Sequence, residues 1–180
     1  MSNSAPTPLP AAPPAVIPTE GWHVLHLYYH MERGQWEQYS PEERAHTKKK
    51  FARLIADIRA TDKTQLLAFS VVSPKADLAF MLLTPDLQQA NAFEKKLTNG
   101  LGPDVLSPVY SYLSMTEWTE YFTTEEEYTA KMTKEKSLTP GTPEMEAELV
   151  TYRAHMAKYH SDRLYPNLPD WPVMCFYPMS

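Results

Sequence analysis

TQLLAFSVVSPKADLAFMLL occupies residues 64–83. Residues 64–72 and 77–83 each read as a strand, because aliphatic, aromatic and β-branched side chains fill both. Between them stand Ser73-Pro74-Lys75-Ala76. So short a link can reverse the chain but cannot cross a sheet face, which takes a dozen residues or more. The two strands therefore form an antiparallel hairpin.

Outward from the hairpin the pattern is symmetrical. Upstream, GWHVLHLYYHM (residues 21–31) is apolar and aromatic enough for a buried strand. Ser40-Pro41-Glu42-Glu43 then announces a helix, with Ser40 as cap, Pro41 in the first helical position and Glu43 closing a capping box. Phe51, Leu54, Ile55 and Ile58 follow at helical spacing. Downstream, Thr84-Pro85-Asp86 opens a second helix carrying Leu87, Ala90, Phe93 and Leu97 on one face. Lys95 and Lys96 suit its last turn and Gly100 its stop. VLSPVYSYLSMTEWTEY (residues 105–121) reads as the last strand. The order β-α-β-β-α-β is the ferredoxin-like unit of the α+β class. It predicts a four-stranded antiparallel sheet with both helices on one face, within residues 21–121.

The flanks differ from the unit. Residues 1–20 are Pro- and Ala-rich and almost uncharged, the composition of an extended, disordered arm. Residues 122–170 form a helical connector: 124–136 and 143–160 read as helices around the breaker Leu138-Thr139-Pro140-Gly141, and a Pro-punctuated link, DRLYPNLPDWP, follows. In the closing residues 171–180, Trp171, Val173 and Tyr177 repeat the spacing of Trp22, Val24 and Tyr28 in the first strand. The repeat predicts the first strand of a second, incomplete ferredoxin-like unit, outside the first sheet's ladder.

Composition narrows the function classes. The chain has 180 residues, 43% of them hydrophobic, and a net charge of −5. That charge argues against nucleic-acid binding, which needs a basic face. Lys48-Lys49-Lys50 reads as a solvated helix face beside Glu42 and Glu43. The one cysteine, Cys175, permits no internal disulfide and reads as a packed side chain of the closing strand. The N-terminus has no secretory pattern and no apolar run approaches a membrane span, so a cytoplasmic protein is expected. His26 and His30 lie about 13 Å apart along a strand, and His155 and His160 roughly 140° apart around a helix. Neither pair suits one metal ion. Glu125-Glu126-Glu127 belongs to a helix N-terminus, where the dipole favours acids.

GWHVLHLYY, SPVYSYLSMTEWTEY, DRLYPNLP and CFYPMS together resemble the coproheme decarboxylases, chlorite-dismutase-like enzymes of bacterial haem synthesis. The likeness covers residues 21–180, about the first two-thirds of a family member, and RLYP followed by YPMS is the more specific part. The resemblance implies a dimeric α+β barrel type of fold, with two ferredoxin-like units per subunit and the porphyrin in the second. It implies hydrogen peroxide as oxidant, iron-coproporphyrin III (coproheme) as substrate and redox centre, and haem b as product.

Residue by residue, the resemblance makes Tyr177 catalytic, as a phenol beside a propionate. Arg163 becomes a propionate clamp, for which a planar guanidinium fork is apt. Tyr121 matches a second tyrosine near the propionates, and Pro178, Met179 and Ser180 fall in the substrate-binding segment. No metal ligand is expected in the chain, because the family's proximal histidine, like a propionate-holding lysine, falls beyond Ser180. A homo-oligomer is implied, a pentameric ring in the family, or a chain that completes the second unit. The alternatives are a chlorite-dismutase-type or haem peroxidase activity, and a half-length, non-catalytic ferredoxin-like binding subunit. The sequence beyond Ser180 separates them.

Overall fold

The structure is a computed structural model that describes residues 14–119 and 121–175. β1 (His23–Met31) is followed by a one-turn helix α1 (Arg33–Glu37) and the long helix α2 (Pro41–Arg59). The hairpin β2 (Gln65–Ser73) and β3 (Ala76–Thr84) comes next, then α3 (Leu87–Thr98) and β4 (Leu106–Met115). The four strands form one antiparallel sheet in the order β2-β3-β1-β4. This is the ferredoxin-like arrangement that the hairpin and its flanks predict.

The local chemistry explains the elements. Ser40 and Glu43 exchange bonds across the start of α2: the Glu43 amide donates to Ser40 Oγ and the Ser40 amide to Glu43 Oε2. Asp86 caps α3 through the Gln88 amide. Both helices press on the same sheet face. Phe51 and Ile58 of α2, with Ala90, Phe93 and Leu97 of α3, close over Leu27, Tyr29, Leu66, Phe80 and Leu82. Each of the Leu, Ile and Phe side chains, fully buried, contributes about 1.5–3 kcal/mol. Trp36 of α1 joins this core; nothing in the sequence pattern marks that single turn.

The departures from the sequence reading have physical causes. β4 stops at Met115 rather than Tyr121, because its partner β1 begins opposite, at His23. After the Thr116 amide bonds Trp22 O, Gly21 turns away with φ +78° and leaves no backbone to pair with. Within β4, Tyr28 faces Tyr110 while Tyr29 faces Pro108, so Val109 is the extra residue of a bulge at a proline that cannot donate.

The expected disordered arm of residues 1–20 is partly fixed. The Val16 amide donates to Asp86 Oδ1, and Val16 O accepts from the Leu87 amide, which the first turn of α3 leaves unpaired. Residues 1–13 lie outside the described residues. Finally, residues 171–175 form no strand and lie exposed, Cys175 among them. The expected strand there finds no ladder partner among the described residues, so Cys175 is not packed; residues 176–180 lie outside the described part.

Beyond the sheet, α4 (Glu125–Lys136) and α5 (Pro143–Leu164) make a helical hairpin. Met132, Met145 and Leu149 form its own small core, with Tyr128 and Leu138 alongside. The Tyr128 and Tyr152 rings stack at 4.2 Å. Arg153 bridges Glu125 and Glu146 at 2.6 and 2.7 Å. α5 runs to Leu164, past the expected end at His160, and so carries Arg163 in its last turn.

Candidate functional site

The residues that follow β4 fold against the end of α5. Thr116 is the joint. Its hydroxyl accepts from the Trp22 amide at 2.7 Å and donates to Leu164 O at 2.7 Å. One residue on, Glu117 O accepts from Arg163 Nε at 3.1 Å. Trp118 lays its ring over His160, with centroids 4.0 Å apart, and Phe122 meets the same imidazole edge-on at 5.3 Å. His160 and Arg163 stand three apart, hence on one helix face. The buried Nδ1 of His160 has no hydrogen-bond partner among the described residues.

Of the residues expected to act, two are brought to this surface. Arg163 is exposed, and only its Nε has a partner among the described residues; no carboxylate pairs with it there. Its outer nitrogens therefore present a two-pronged donor to solvent. Tyr121 is 93% exposed, on a backbone held by the Thr119 hydroxyl at 3.1 Å. Trp118, Phe122 and Tyr159, which meet His160, and Tyr165, next but one after Arg163, leave large parts of their rings uncovered. A guanidinium one helical turn from the ring-flanked His160 suits a carboxylated, flat ligand: the fork takes a carboxylate, and exposed rings take an aromatic face. Tyr177, Pro178, Met179 and Ser180 lie outside the described residues.

Other polar groups have structural partners. His26 stacks on Tyr112 at 4.1 Å, nearly parallel, with Ser114 Oγ 3.4 Å from its Nε2. Burial pushes its ring down to about 4, so it is neutral. Asp77 accepts from the Met31 amide at 2.9 Å and from Arg33 at 3.1 Å, with His30 Nδ1 at 3.3 Å. The amide bond above all, then His30, holds its carboxyl below the usual range. Glu125, Glu126 and Glu127 fill the first turn of α4, capped by Thr124. Among the described residues no group of three or more His, Cys, Asp or Glu side chains could hold a metal, and no helix is long and apolar enough to cross a membrane. An open cleft of about 380 Å³ lies between α3 and β4, lined by Leu25, Leu87, Ala90, Lys95 and Leu113 among others. Neither Arg163 nor Tyr121 lines it.

The sequence does not mark Trp118 and Phe122, and it weighs His160 only as a metal ligand, with His155. A strand continued through these residues would hold Trp118 and Phe122 about 13 Å apart, so the two rings have no reason to meet one imidazole. The available signal is the i, i+3 spacing of His160 and Arg163.

A family model described as chlorite dismutase matches residues 44–180, a stretch that contains every site residue expected from the sequence. Among solved structures, a protein described as a novel heme-binding protein, from Thermus thermophilus, aligns at 26% identity with a TM-score of 0.52. The alignment covers 76% of this chain and 51% of that one. A mutant chlorite dismutase from Candidatus Nitrospira defluvii aligns at 16% identity and a TM-score of 0.52, over 65% of this chain and 49% of that one. Another mutant of the same enzyme aligns at 13% identity and a TM-score of 0.52, over 82% of this chain and 68% of that one. At these last two identities the likeness is one of fold. The chain spans about half the length of the first two structures.

Proposed function

The chain belongs to the chlorite dismutase family, and from that premise we propose that its protein carries out the peroxide-dependent oxidative decarboxylation of iron-coproporphyrin III to haem b. The observation that carries this reading is Arg163: a guanidinium anchored through Nε to Glu117 O, with no carboxylate partner among the described residues. Coproheme brings four carboxylates and a flat macrocycle to such a surface. The RLYP and YPMS segments support the same branch of the family.

The residues present fit the group. Arg163 would hold a propionate, with Tyr121 near it and Pro178, Met179 and Ser180 along the substrate. Each decarboxylation turns a propionate into a vinyl group and carbon dioxide, a two-electron oxidation matched by reduction of one hydrogen peroxide to water. The iron porphyrin supplies the oxidising chemistry with peroxide. The part proposed for this chain is to orient a propionate through Arg163 and to present the Tyr177 phenol, which can pass on a hydrogen atom. The reading takes residues 21–121 as the first unit, 122–170 as the connector and 171–180 as the entry to a second.

The test uses the native polypeptide. Arg163→Ala should weaken coproheme binding about ten- to a hundred-fold, the worth of one charge-assisted bond of roughly 1.5–3 kcal/mol. Tyr177→Phe should bind coproheme nearly as the wild type does and lose decarboxylation by orders of magnitude in single turnover. Wild-type turnover in Tyr177→Phe would reduce Tyr177 to a packing residue. The family model's own description keeps a second reading, chlorite decomposition, in play. Oxygen evolution from chlorite, with no carbon dioxide released from coproheme and peroxide, would select it. Porphyrin binding with neither product would select a binding subunit.

A further inference from the structure

We propose that Gln65, together with Thr116, is a positioning residue that clamps the strap after Arg163, residues Leu164–Leu168, onto the sheet. Beyond α5 the backbone crosses the sheet face opposite α2 and α3, where Leu168 packs on Val24, Met81 and Leu83. This crossing is irregular, with no strand in it, so its peptide groups need partners from elsewhere. Gln65, the first residue of β2, supplies them. Its Nε2 donates to Pro166 O, and its Oε1 accepts from the Leu168 amide at 2.9 Å.

The pattern is informative. A carbonyl at one residue and an amide two residues later is the pair that one strand residue engages on a parallel neighbour. The Gln65 carboxamide thus stands in for a strand's peptide unit, which can hold register as well as cover a polar group. Thr116 fixes the carbonyl of Leu164, Glu117 O fixes Arg163, and the Tyr165 ring meets Trp22 edge-on at 5.9 Å. Pro169 restricts Leu168 to extended backbone, which suits a clamped strap. Ties therefore fall on Arg163, Leu164, Pro166 and Leu168, set by Gln65 of β2 and by Thr116 and Glu117 just after β4. The sheet so determines where the guanidinium stands and in which direction the chain leaves towards residues 171–180.

The clamp stands on these contacts. Its consequence for porphyrin binding rests on the proposed function above, and the experiment separates the two. In the full chain, Gln65→Leu keeps the side chain's bulk and removes both bonds. Hydrogen exchange at the Leu168 amide should then quicken about ten- to a hundred-fold, with little change at β1 and β3. Gln65→Glu keeps the acceptor but sets a carboxylate oxygen against Pro166 O. It should loosen the strap at neutral pH and recover it when protonated, below pH about 4.5; a merely space-filling role would give no such profile.

With coproporphyrin III as probe, Gln65→Leu should weaken binding at least five-fold when Arg163 is present and add nothing in an Arg163→Ala background. Unchanged Leu168 exchange in both Gln65 variants would overturn the clamp. Faster exchange with unchanged affinity, while Arg163→Ala still weakens binding, would overturn the positioning role. Wild-type affinity in Arg163→Ala would instead sink the porphyrin reading and leave the clamp to be judged by exchange alone.

Discussion

His26 is a titratable ring held where its charged form is costly. Burial lowers it to about 4 from its ordinary 6.5. Between those values the unfolded chain takes up a proton that the folded chain does not, so stability falls as pH drops through that window. From pH 7 to pH 5 the loss should be about 2 kcal/mol. The carboxyls held low, Asp77, Glu43, Glu125 and Glu148, keep their charge in the fold to lower pH than they would unfolded. Their stabilisation is present above the ordinary carboxylate range and goes as pH falls through the lowered values, below this window. Urea midpoints at pH 7 and pH 5 should therefore differ in the wild type, and much less in His26→Phe, which keeps a ring against Tyr112 but cannot titrate. Equal wild-type stability at both pH values would mean that His26 ionises in place. Gly21 makes a second residue-level case. A Cβ there would lie 2.4 Å from Thr116 O, on a backbone at φ +78°. Gly21→Ala should cost roughly 1–3 kcal/mol, seen as a lowered urea midpoint; a cost under about 0.5 kcal/mol, as at an ordinary surface site, would show that the approach is loose.

Among elements, the helices divide by what they lean on. α2 and α3 rest on the sheet, so their caps affect the whole fold. Ser40→Ala removes the acceptor for the Glu43 amide and should lower global stability by about 1 kcal/mol, measurable in chemical denaturation. The α4–α5 hairpin has a core of its own around Met132, Met145 and Leu149. Met145→Ala should cost about 2–5 kcal/mol, but as local opening. Hydrogen exchange should quicken across residues 125–160 while the amides of β1 and β3 keep their rates. Uniform acceleration would instead mean that hairpin and sheet open together. The Arg153 bridges lie in solvent, and exposed ion pairs of this kind add little.

For the whole molecule, a net charge of −5 disfavours anionic ligands in general, so the proposed porphyrin site must act through local geometry. Binding should then follow the number of carboxylates the ligand can offer to Arg163. Coproporphyrin, with four, should bind more tightly than protoporphyrin, with two, and an alkyl porphyrin with none should bind least. Fluorescence quenching of the exposed Trp118 would report each affinity, with Trp118→Phe as control. Equal affinities across the series would point to ring stacking alone and remove the clamp role from Arg163.

Much of the fold was legible because its signals are local. The four-residue link between two apolar runs forces a hairpin, and the capping residues Ser40 and Glu43 need only their own turn to act. The apolar spacing of Phe51, Ile58, Phe93 and Leu97 names a buried face before any sheet is seen. The family likeness was legible for a similar reason, since short motifs such as RLYP are read in order along the chain. What happens at the sheet's margins depends on partners distant in sequence. β4 ends where β1 has no more backbone to offer, which Gly21 decides beside a Trp22–Thr116 pairing that spans 94 residues. Val16 is fixed by Asp86, and the strap after α5 by Gln65 across 101 and 103 residues. The sequence by itself determined the hairpin, the helices and the α+β order, because periodicity and capping are short-range physics. Only the tertiary structure decided that Arg163 is tied through Nε to Glu117 O while Trp118 and Phe122 close on His160 one turn away, because a side chain's partners are settled by which backbones pack together.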